Sequence, residues 1–267
     1  MSGRIQARFA ALRAQGRTAL IPFITAGDPI PDATVALMHA LVESGADIIE
    51  LGMPFSDPMA DGPVIQHADE RALKNKVGIA DILHWVRAFR EHDSETPIVL
   101  MGYLNPIEIH GLERFAREAA DAGVDGVLVV DCPIEEDATL QALRGAGLQR
   151  ILLAAPTTSE ARLARAIEMA EGYLYYVSFA GITGAAKLSA DDIAARVDAI
   201  RGRASVPVAV GFGIRDAASA KAVGAFADAV VIGSALVAAL ADAATLEQAG
   251  DRAKMFLAPI RAALDGC

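Results

Sequence analysis

Cysteine and aromatic residues are scarce in this sequence. Its 267 residues include only two cysteines, Cys132 and Cys267, and 5% aromatic side chains. The two cysteines supply neither a metal-binding spacing nor a disulfide framework, which indicates a reducing compartment. The five histidines form no ligand pair either. The sequence therefore predicts no metal site.

Long apolar runs and basic blocks are also missing. No stretch reaches the length of a membrane span, and residues 1–15 carry Arg4, Arg8 and Arg13 among apolar positions, unlike a signal peptide. Acidic residues outnumber basic ones by 34 to 24, which gives a formal net charge of −10. Nucleic acids and anionic membranes are therefore poor partners, and we expect a cytoplasmic protein.

The chain is rich in apolar residues, which occur in short β-rich runs between longer segments of helical period. Hydrophobic residues make up 53% of the sequence. The runs predict eight strands, at residues 19–24, 47–51, 98–101, 126–130, 151–153, 173–177, 207–210 and 229–232. Residues 1–15 predict an additional helix before the first strand. Glycines follow helical segments where a left-handed helix end is expected, at Gly45, Gly123, Gly147 and Gly224.

This alternation predicts an α/β fold, a single (β/α)8 TIM barrel domain over residues 1–267. An open doubly wound sheet would also alternate strands and helices. Residues 25–29 (TAGDP), after the first predicted strand, lack the dinucleotide-binding glycine spacing of such sheets. The barrel is the favoured fold.

One carboxylate interrupts an apolar strand. Glu50 lies within the run DIIEL at residues 47–51. Burial raises the pKa of a carboxyl group toward the range useful for proton transfer, and barrel enzymes place catalytic groups at the C-terminal ends of strands. Glu50 is therefore the leading candidate for a general acid/base. The alternative is an acid paired with a cation inside the barrel.

The segment after this strand is too long to be a simple connection. Residues 52–63 contain three prolines, two glycines and the carboxylates Asp57 and Asp61. This composition predicts a shaped active-site loop. The alternative for Asp61 is a turn or helix-capping residue before Pro63.

Glycine clusters follow the last three predicted strands. They are GITG at residues 181–184, GFGI at residues 211–214, and Gly233 with Ser234. Barrels commonly bind phosphate at the last two of these loops through backbone N–H groups and a helix N-terminus. The clusters predict a phosphate site, with tight turns as the alternative. Acid/base chemistry on a phosphorylated substrate is the function that these residues indicate.

Residues 50–66, ELGMPFSDPMADGPVIQ, closely resemble the second-strand signature of tryptophan synthase alpha chains. The resemblance extends over nearly the whole chain, with Cys132 standing where that family usually has leucine. The other matching segments are residues 21–29 (IPFITAGDP), 101–106 (MGYLNP), 131–136 (DCPIEE), 175–178 (YYVS), 181–184 and 211–214.

The resemblance implies a lyase of tryptophan biosynthesis, which cleaves indole-3-glycerol phosphate into indole and glyceraldehyde 3-phosphate by a retro-aldol reaction. Asp61 would hold the indole N–H, and Glu50 would transfer the protons. Thr183 would belong to a mobile loop over the substrate. The implied indole pocket consists of Phe23, Leu100, Leu128 and Tyr175. The implied phosphate ligands are Gly184, Gly213, Gly233 and Ser234, beside Gly211 of the same glycine cluster.

The resemblance also implies a partner, a beta subunit in an α2β2 heterotetramer. Pyridoxal phosphate would belong to that subunit, and no cofactor is expected in this chain. The expected contact residues are Pro54 and Asp57 of the loop after the second strand, and Asn105 and Pro106 of a turn after the third, because both segments leave the C-terminal face of the barrel beside the active site. Two other functions stay open from the sequence: another phosphate-binding barrel enzyme of amino-acid biosynthesis, and a non-catalytic activator subunit. A silent subunit would be expected to lose a carboxylate, and Glu50 and Asp61 are both present.

Overall fold

Short parallel strands form the centre of the molecule. The computed structural model describes residues 3–177, 190–211 and 213–266. The strands within these ranges are Ala19–Thr25 (β1), Ile49–Gly52 (β2), Ile98–Gly102 (β3), Gly126–Val129 (β4), Gln149–Arg150 (β5), Leu152–Ala154 (β6), Leu174–Val177 (β7), Val208–Gly211 (β8) and Ala229–Ile232 (β9).

The strands close into a barrel through a divided strand. Their order is β5-β4-β3-β2-β1-β9-β8-β7-β6, and every pair is parallel. Only Ile151 separates β5, which pairs with β4, from β6, which pairs with β7. The Ile151 N–H donates to the Val127 carbonyl at 3.0 Å. β5 and β6 therefore occupy one strand position of eight, which confirms the predicted barrel.

Helices surround this barrel. Those in the described residues are Arg4–Ala14 (α1), Thr34–Glu43 (α2), Pro63–Lys74 (α3), Ile79–Arg90 (α4), Leu104–His110 (α5), Leu112–Ala122 (α6), Asp137–Gly145 (α7), Glu160–Met169 (α8), Ala190–Arg201 (α9), Ala217–Gly224 (α10), Ser234–Leu240 (α11) and Leu246–Asp265 (α12). A short 3-10 turn, Pro31–Ala33, precedes α2. None of the described helices combines the length and apolar character needed to cross a membrane.

The strands are apolar on both faces because each face is covered. Alternate residues point outward against the helices, as Ile49 and Leu51 do. The intervening residues point into the barrel, where Ile5, Phe9 and Leu12 of α1 pack among them. The additional N-terminal helix was predicted, and it fills the end of the barrel at which the strands begin. The opposite end, where the strands finish, carries the loops.

Two details of the sequence prediction are wrong. The fifth strand was expected at residues 151–153, but Ile151 interrupts it. Gly224 was expected to end a helix in the left-handed conformation, as Gly45, Gly123 and Gly147 do with φ of 93°, 93° and 83°. Gly224 is instead the last residue of α10 and does not have a positive φ. A Cβ there would come within 2.6 Å of Cδ2 of Leu264, so close packing against α12 explains this glycine.

Candidate active site

Glu50 projects from β2 into the closed centre of the barrel. Its side chain is completely buried, and its Oε1 accepts a hydrogen bond from the Tyr173 hydroxyl at 2.5 Å. Its Oε2 has no hydrogen-bond partner among the described residues. Burial raises the pKa of Glu50 to about 7, and the Tyr173 hydrogen bond opposes that rise. No cation of the described chain pairs with it, so the structure argues against the alternative of a buried ion pair.

Asp61 lies near the end of the loop that connects β2 to α3. Its Oδ2 accepts a hydrogen bond from the Tyr103 hydroxyl at 2.7 Å, and its carbonyl accepts one from Nε2 of Gln66 at 2.8 Å. Burial raises its pKa, and the Tyr103 hydrogen bond opposes this. The N-cap of α3 is Gly62, and no side chain caps that helix. The carboxylate of Asp61 is thus directed at Tyr103 and not at the helix end.

Glu50 and Asp61 both lie close enough to Tyr175 for their charges to act on its hydroxyl. Tyr175 projects inward from β7, and its pKa is raised by burial and then by the negative charges of Glu50 and Asp61. A cavity of about 320 Å³ lies at the ends of β4 and β6, where Val130 and Leu153 line it. Glu50, Asp61 and Tyr175 do not border this cavity. Two acids with raised pKa values thus act on the same buried aromatic side chain.

The expected indole pocket is corrected at one position. Leu128 and Tyr175 lie in the inward-facing cluster, and Phe23 is buried at the same end of the barrel. Leu100 is also buried, but it packs in the cluster between strands and helices. Successive side chains of a strand point to opposite faces, so the neighbouring Met101 faces inward and contacts the clusters of Phe23 and Tyr175.

The predicted phosphate residues lie at neighbouring strand ends. A Cβ on Gly211, the last residue of β8, would collide with the Tyr175 hydroxyl. Gly213 has φ of +61°, and a Cβ there would meet nothing within 4 Å. Gly233 immediately precedes α11, whose first residue is Ser234, and its Cβ would lie 3.6 Å from Cβ of Phe23. Thr183 and Gly184 lie outside the described residues.

Two polar residues near Asp61 were given no role from the sequence. Tyr103 follows β3 and is 2% exposed, and Asp69 of α3 is 4% exposed. Burial and the nearby charge of Asp61 raise the pKa of Asp69 to about 7. The position of Tyr103 directly after a predicted strand could have indicated a site residue. The burial of Asp69 depends on how α3 packs, which the sequence does not reveal.

The described residues contain no group of three or more histidine, cysteine, aspartate or glutamate side chains that could hold a metal ion. The polar groups of the site are instead two carboxyls, several tyrosine hydroxyls and the backbone around glycines. These groups can move protons and bind an anion without a positively charged surface.

The expected partner contacts lie on the loop side of the barrel. Pro54 is buried in the chain by itself, whereas Asp57 is exposed. Asn105 and Pro106 were expected in a turn but lie in the first turn of α5, where Asn105 is exposed. Proline is tolerated there because the first helical N–H groups have no intrahelical acceptor. The same side exposes two large apolar side chains, Met59 (85%) and Ile109 (80%).

Comparisons with known proteins agree with one another. The family model described as "Tryptophan synthase alpha chain" matches residues 9–264. Tryptophan synthase alpha chains of Xylella fastidiosa and Xanthomonas euvesicatoria are 59% and 61% identical to this chain, over 98% of both sequences in each pair. The solved structure of tryptophan synthase subunit alpha from Legionella pneumophila is 43% identical, with a TM-score of 0.93 over 100% of both chains. A Mycobacterium tuberculosis tryptophan synthase structure gives 37% identity and a TM-score of 0.87 over 99% of both chains.

Proposed function

This chain belongs to the tryptophan synthase alpha chain family, and we propose from that premise that Glu50 and Asp61 are its catalytic carboxylates. It is a carbon–carbon lyase of tryptophan biosynthesis that cleaves indole-3-glycerol phosphate to indole and glyceraldehyde 3-phosphate. The observation that carries the proposal is Glu50, a completely buried acid with a pKa of about 7, one oxygen of which has no partner within the described part of the chain. Nothing in the comparisons favours another barrel enzyme or a silent activator subunit.

Both carboxylates have a task in this reaction. Glu50 delivers a proton to C3 of the indole ring, which leaves positive charge on the ring nitrogen. Asp61 accepts the indole N–H and stabilises that charge. The hydroxyl on the substrate's glycerol carbon next to C3 then loses its proton, and a carbonyl forms on that carbon. The bond between C3 and that carbon breaks, and its electrons return to the indole ring. Glu50 takes up that proton, so a pKa near neutrality suits both of its steps.

The remaining site residues bind the substrate. Phe23, Leu128 and Tyr175 line the indole pocket, and Met101 takes the place first expected for Leu100. The phosphate is bound by backbone N–H groups at the strand ends, because Gly213 leaves open space there and the chain has a net charge of −10. These phosphate residues are Gly184, Gly211, Gly213, Gly233 and Ser234. Thr183 belongs to a loop that closes over the bound substrate.

The chain acts in the cytoplasm as one domain beside a beta subunit, in an α2β2 heterotetramer. Pyridoxal phosphate belongs to the beta subunit, and this chain needs no cofactor of its own. The family supports this partnership, and exposed Met59 and Ile109 on the loop side of the barrel offer apolar surface for it.

The deciding experiment is to incubate the purified chain with indole-3-glycerol phosphate and to quantify both products. Equimolar indole and glyceraldehyde 3-phosphate are expected, with a higher rate when a beta subunit is added. A chain that binds the substrate but forms no indole, alone or with the beta subunit, would support the silent-subunit alternative.

A further inference from the structure

Tyr103 connects the Asp61 loop to the barrel. It follows β3 directly and is 2% exposed. Its ring packs against that of Phe55, with centroids 5.2 Å apart. Phe55 and Asp61 belong to the same loop, so Tyr103 contacts that loop at two separated points. Tyr103 thereby adds a strand-end contact to a loop that Gln66 of α3 also holds, through its hydrogen bond to the Asp61 carbonyl.

The hydroxyl of Tyr103 has defined donor and acceptor roles. It accepts a hydrogen bond from the backbone N–H of Ala60 at 3.0 Å, and it lies 2.7 Å from Oδ2 of Asp61. A phenol has one proton to donate. The Ala60 N–H can only donate to the Tyr103 oxygen, and an ionised carboxylate can only accept a hydrogen bond. The proton is therefore directed at Asp61, in a hydrogen bond to a charged acceptor.

This bond leaves the other carboxylate oxygen for a ligand. Among the described residues, no hydrogen bond is made to Oδ1 of Asp61. We infer that Tyr103 is a positioning residue, which holds Oδ2 of Asp61 so that Oδ1 receives the indole N–H. This inference rests on the proposed role of Asp61. Tyr103 does not touch the reacting bond, and it acts through the orientation and charge of Asp61.

The charges around Asp61 make this hydrogen bond important. The negative charge of Asp61 raises the pKa of Asp69 in α3, and the charges of Asp61 and Glu50 both raise the pKa of Tyr175. Asp69 is itself an acid, and no described cation is among the groups that shift the pKa of Asp61. Burial raises that pKa and Tyr103 lowers it. The Tyr103 hydroxyl is thus the group that favours the ionised form needed to hold a cationic indole ring.

Tyr103→Phe tests the inference because it keeps the ring and removes the hydroxyl. Hydrogen bonds to charged groups are among the stronger ones, so we expect kcat for cleavage to fall about 10- to 100-fold. Without the hydroxyl the pKa of Asp61 rises further, so the acidic limb of the pH–rate profile should move to higher pH. A fall in rate with an unshifted acidic limb would overturn the inference.

Tyr176→Phe is the matched control. Tyr176 follows Tyr175 on β7, is 1% exposed and faces the helices. Its hydroxyl has no hydrogen-bond partner among the described residues. Removing this hydroxyl should leave kcat and the pH profile unchanged. The same loss in Tyr176→Phe as in Tyr103→Phe would mean that a buried tyrosine hydroxyl matters only for packing, and would overturn the positioning role.

A double-mutant cycle on indole binding separates this inference from the proposed function. Tyr103→Phe should weaken indole binding several-fold in the parent chain and should have no further effect in Asp61→Ala. Equal effects in both backgrounds would show that Tyr103 does not act through Asp61. If Asp61→Ala itself neither weakens indole binding nor slows cleavage, the proposed role of Asp61 fails first, and the role of Tyr103 fails with it.

Discussion

At the scale of single residues, burial gives Glu50 its chemistry. A carboxyl group in a closed apolar barrel loses its hydration, which disfavours the charged form and raises its pKa to about 7. One hydrogen bond from Tyr173 lowers the pKa only in part. The result is an acid that exists in both protonation states near neutral pH, as a group with two proton-transfer steps requires.

Replacing Glu50 by glutamine should remove proton transfer while keeping side-chain shape. The amide oxygen of the new side chain can still accept the Tyr173 hydrogen bond, so folding should persist. General acid/base groups typically contribute about 10²–10⁴-fold, and we expect kcat to fall by at least that order. Steady-state assays of Glu50→Gln, with circular dichroism to verify folding, measure this. Near-normal turnover would contradict the role of Glu50.

The same substitution should change how stability depends on pH. The pKa of Glu50 is about 7 when folded and 4.5 as its ordinary value, so the folded chain binds the proton more tightly. The stability that this contributes is full below about pH 4.5 and is lost as the pH rises through about 7. Relative to the parent, Glu50→Gln should therefore gain about 2 kcal/mol between pH 5 and pH 8.

Urea unfolding of both proteins at pH 5 and pH 8 measures this difference. Asp69 shows a pKa shift in the same direction. Asp69→Asn should therefore show the same trend, although Asp69 is not proposed to transfer protons. If the difference in unfolding free energy between Glu50→Gln and the parent is equal at both pH values, the raised pKa is wrong.

At the scale of loops and helices, two glycines in the left-handed region allow the cost of backbone strain to be measured apart from the loss of phosphate binding. Gly213 and Gly16 have nearly the same left-handed φ, +61° and +64°, and a Cβ at either would meet nothing within 4 Å. Gly213 follows β8 at the loop end of the barrel, whereas Gly16 joins α1 to β1 at the opposite end. The two positions differ in their distance from the proposed phosphate site.

Gly213→Leu should raise KM for indole-3-glycerol phosphate at least tenfold, because the side chain enters the space where the phosphate approaches the backbone. Gly16→Leu is the matched control. Both variants should lose similar stability, roughly 1–2 kcal/mol for a left-handed residue with a Cβ. Thermal unfolding and steady-state kinetics measure the two effects. Equal KM values in the two variants would place the phosphate elsewhere.

The sequence was sufficient to predict the barrel, because strand runs and helix-ending glycines are local signals. It also singled out Glu50 and Asp61 as candidates, because both fall in a specific motif, and their catalytic roles stay a proposal. It placed Leu100 in the pocket and missed Tyr103 and Asp69. Which face of a strand points inward depends on register across the closed sheet, and a one-residue difference reverses the side chain. The burial of Asp69 likewise depends on the packing of α3.

At the scale of the whole molecule, the barrel divides its tasks between its two ends. Helix α1 fills the end where the strands begin, with Ile5 and Phe9 in the inward-facing cluster. The loops and the proposed site occupy the other end. Large apolar side chains are exposed there, at Met59 and Ile109, although most of the apolar residues in the described chain are packed inside. Exposed apolar surface beside an active site is typical of a partner-binding face.

A partner that packs on the loop of Asp61 should favour its active arrangement. The gain in rate cannot exceed the partner's differential affinity for the two loop states. We expect cleavage to rise at least tenfold when a beta subunit is added, which corresponds to about 1.4 kcal/mol.

Met59 is 85% exposed on the Asp61 loop, and Met255 is 72% exposed on α12, on the outer flank of the barrel. Met59→Asp should reduce the activation while leaving the activity of the isolated chain unchanged, as should Asp57→Ala. Met255→Asp should reduce neither. Rates of all three variants with and without the beta subunit decide this, and equal activation of Met59→Asp and Met255→Asp would show that the partner does not act through the Asp61 loop.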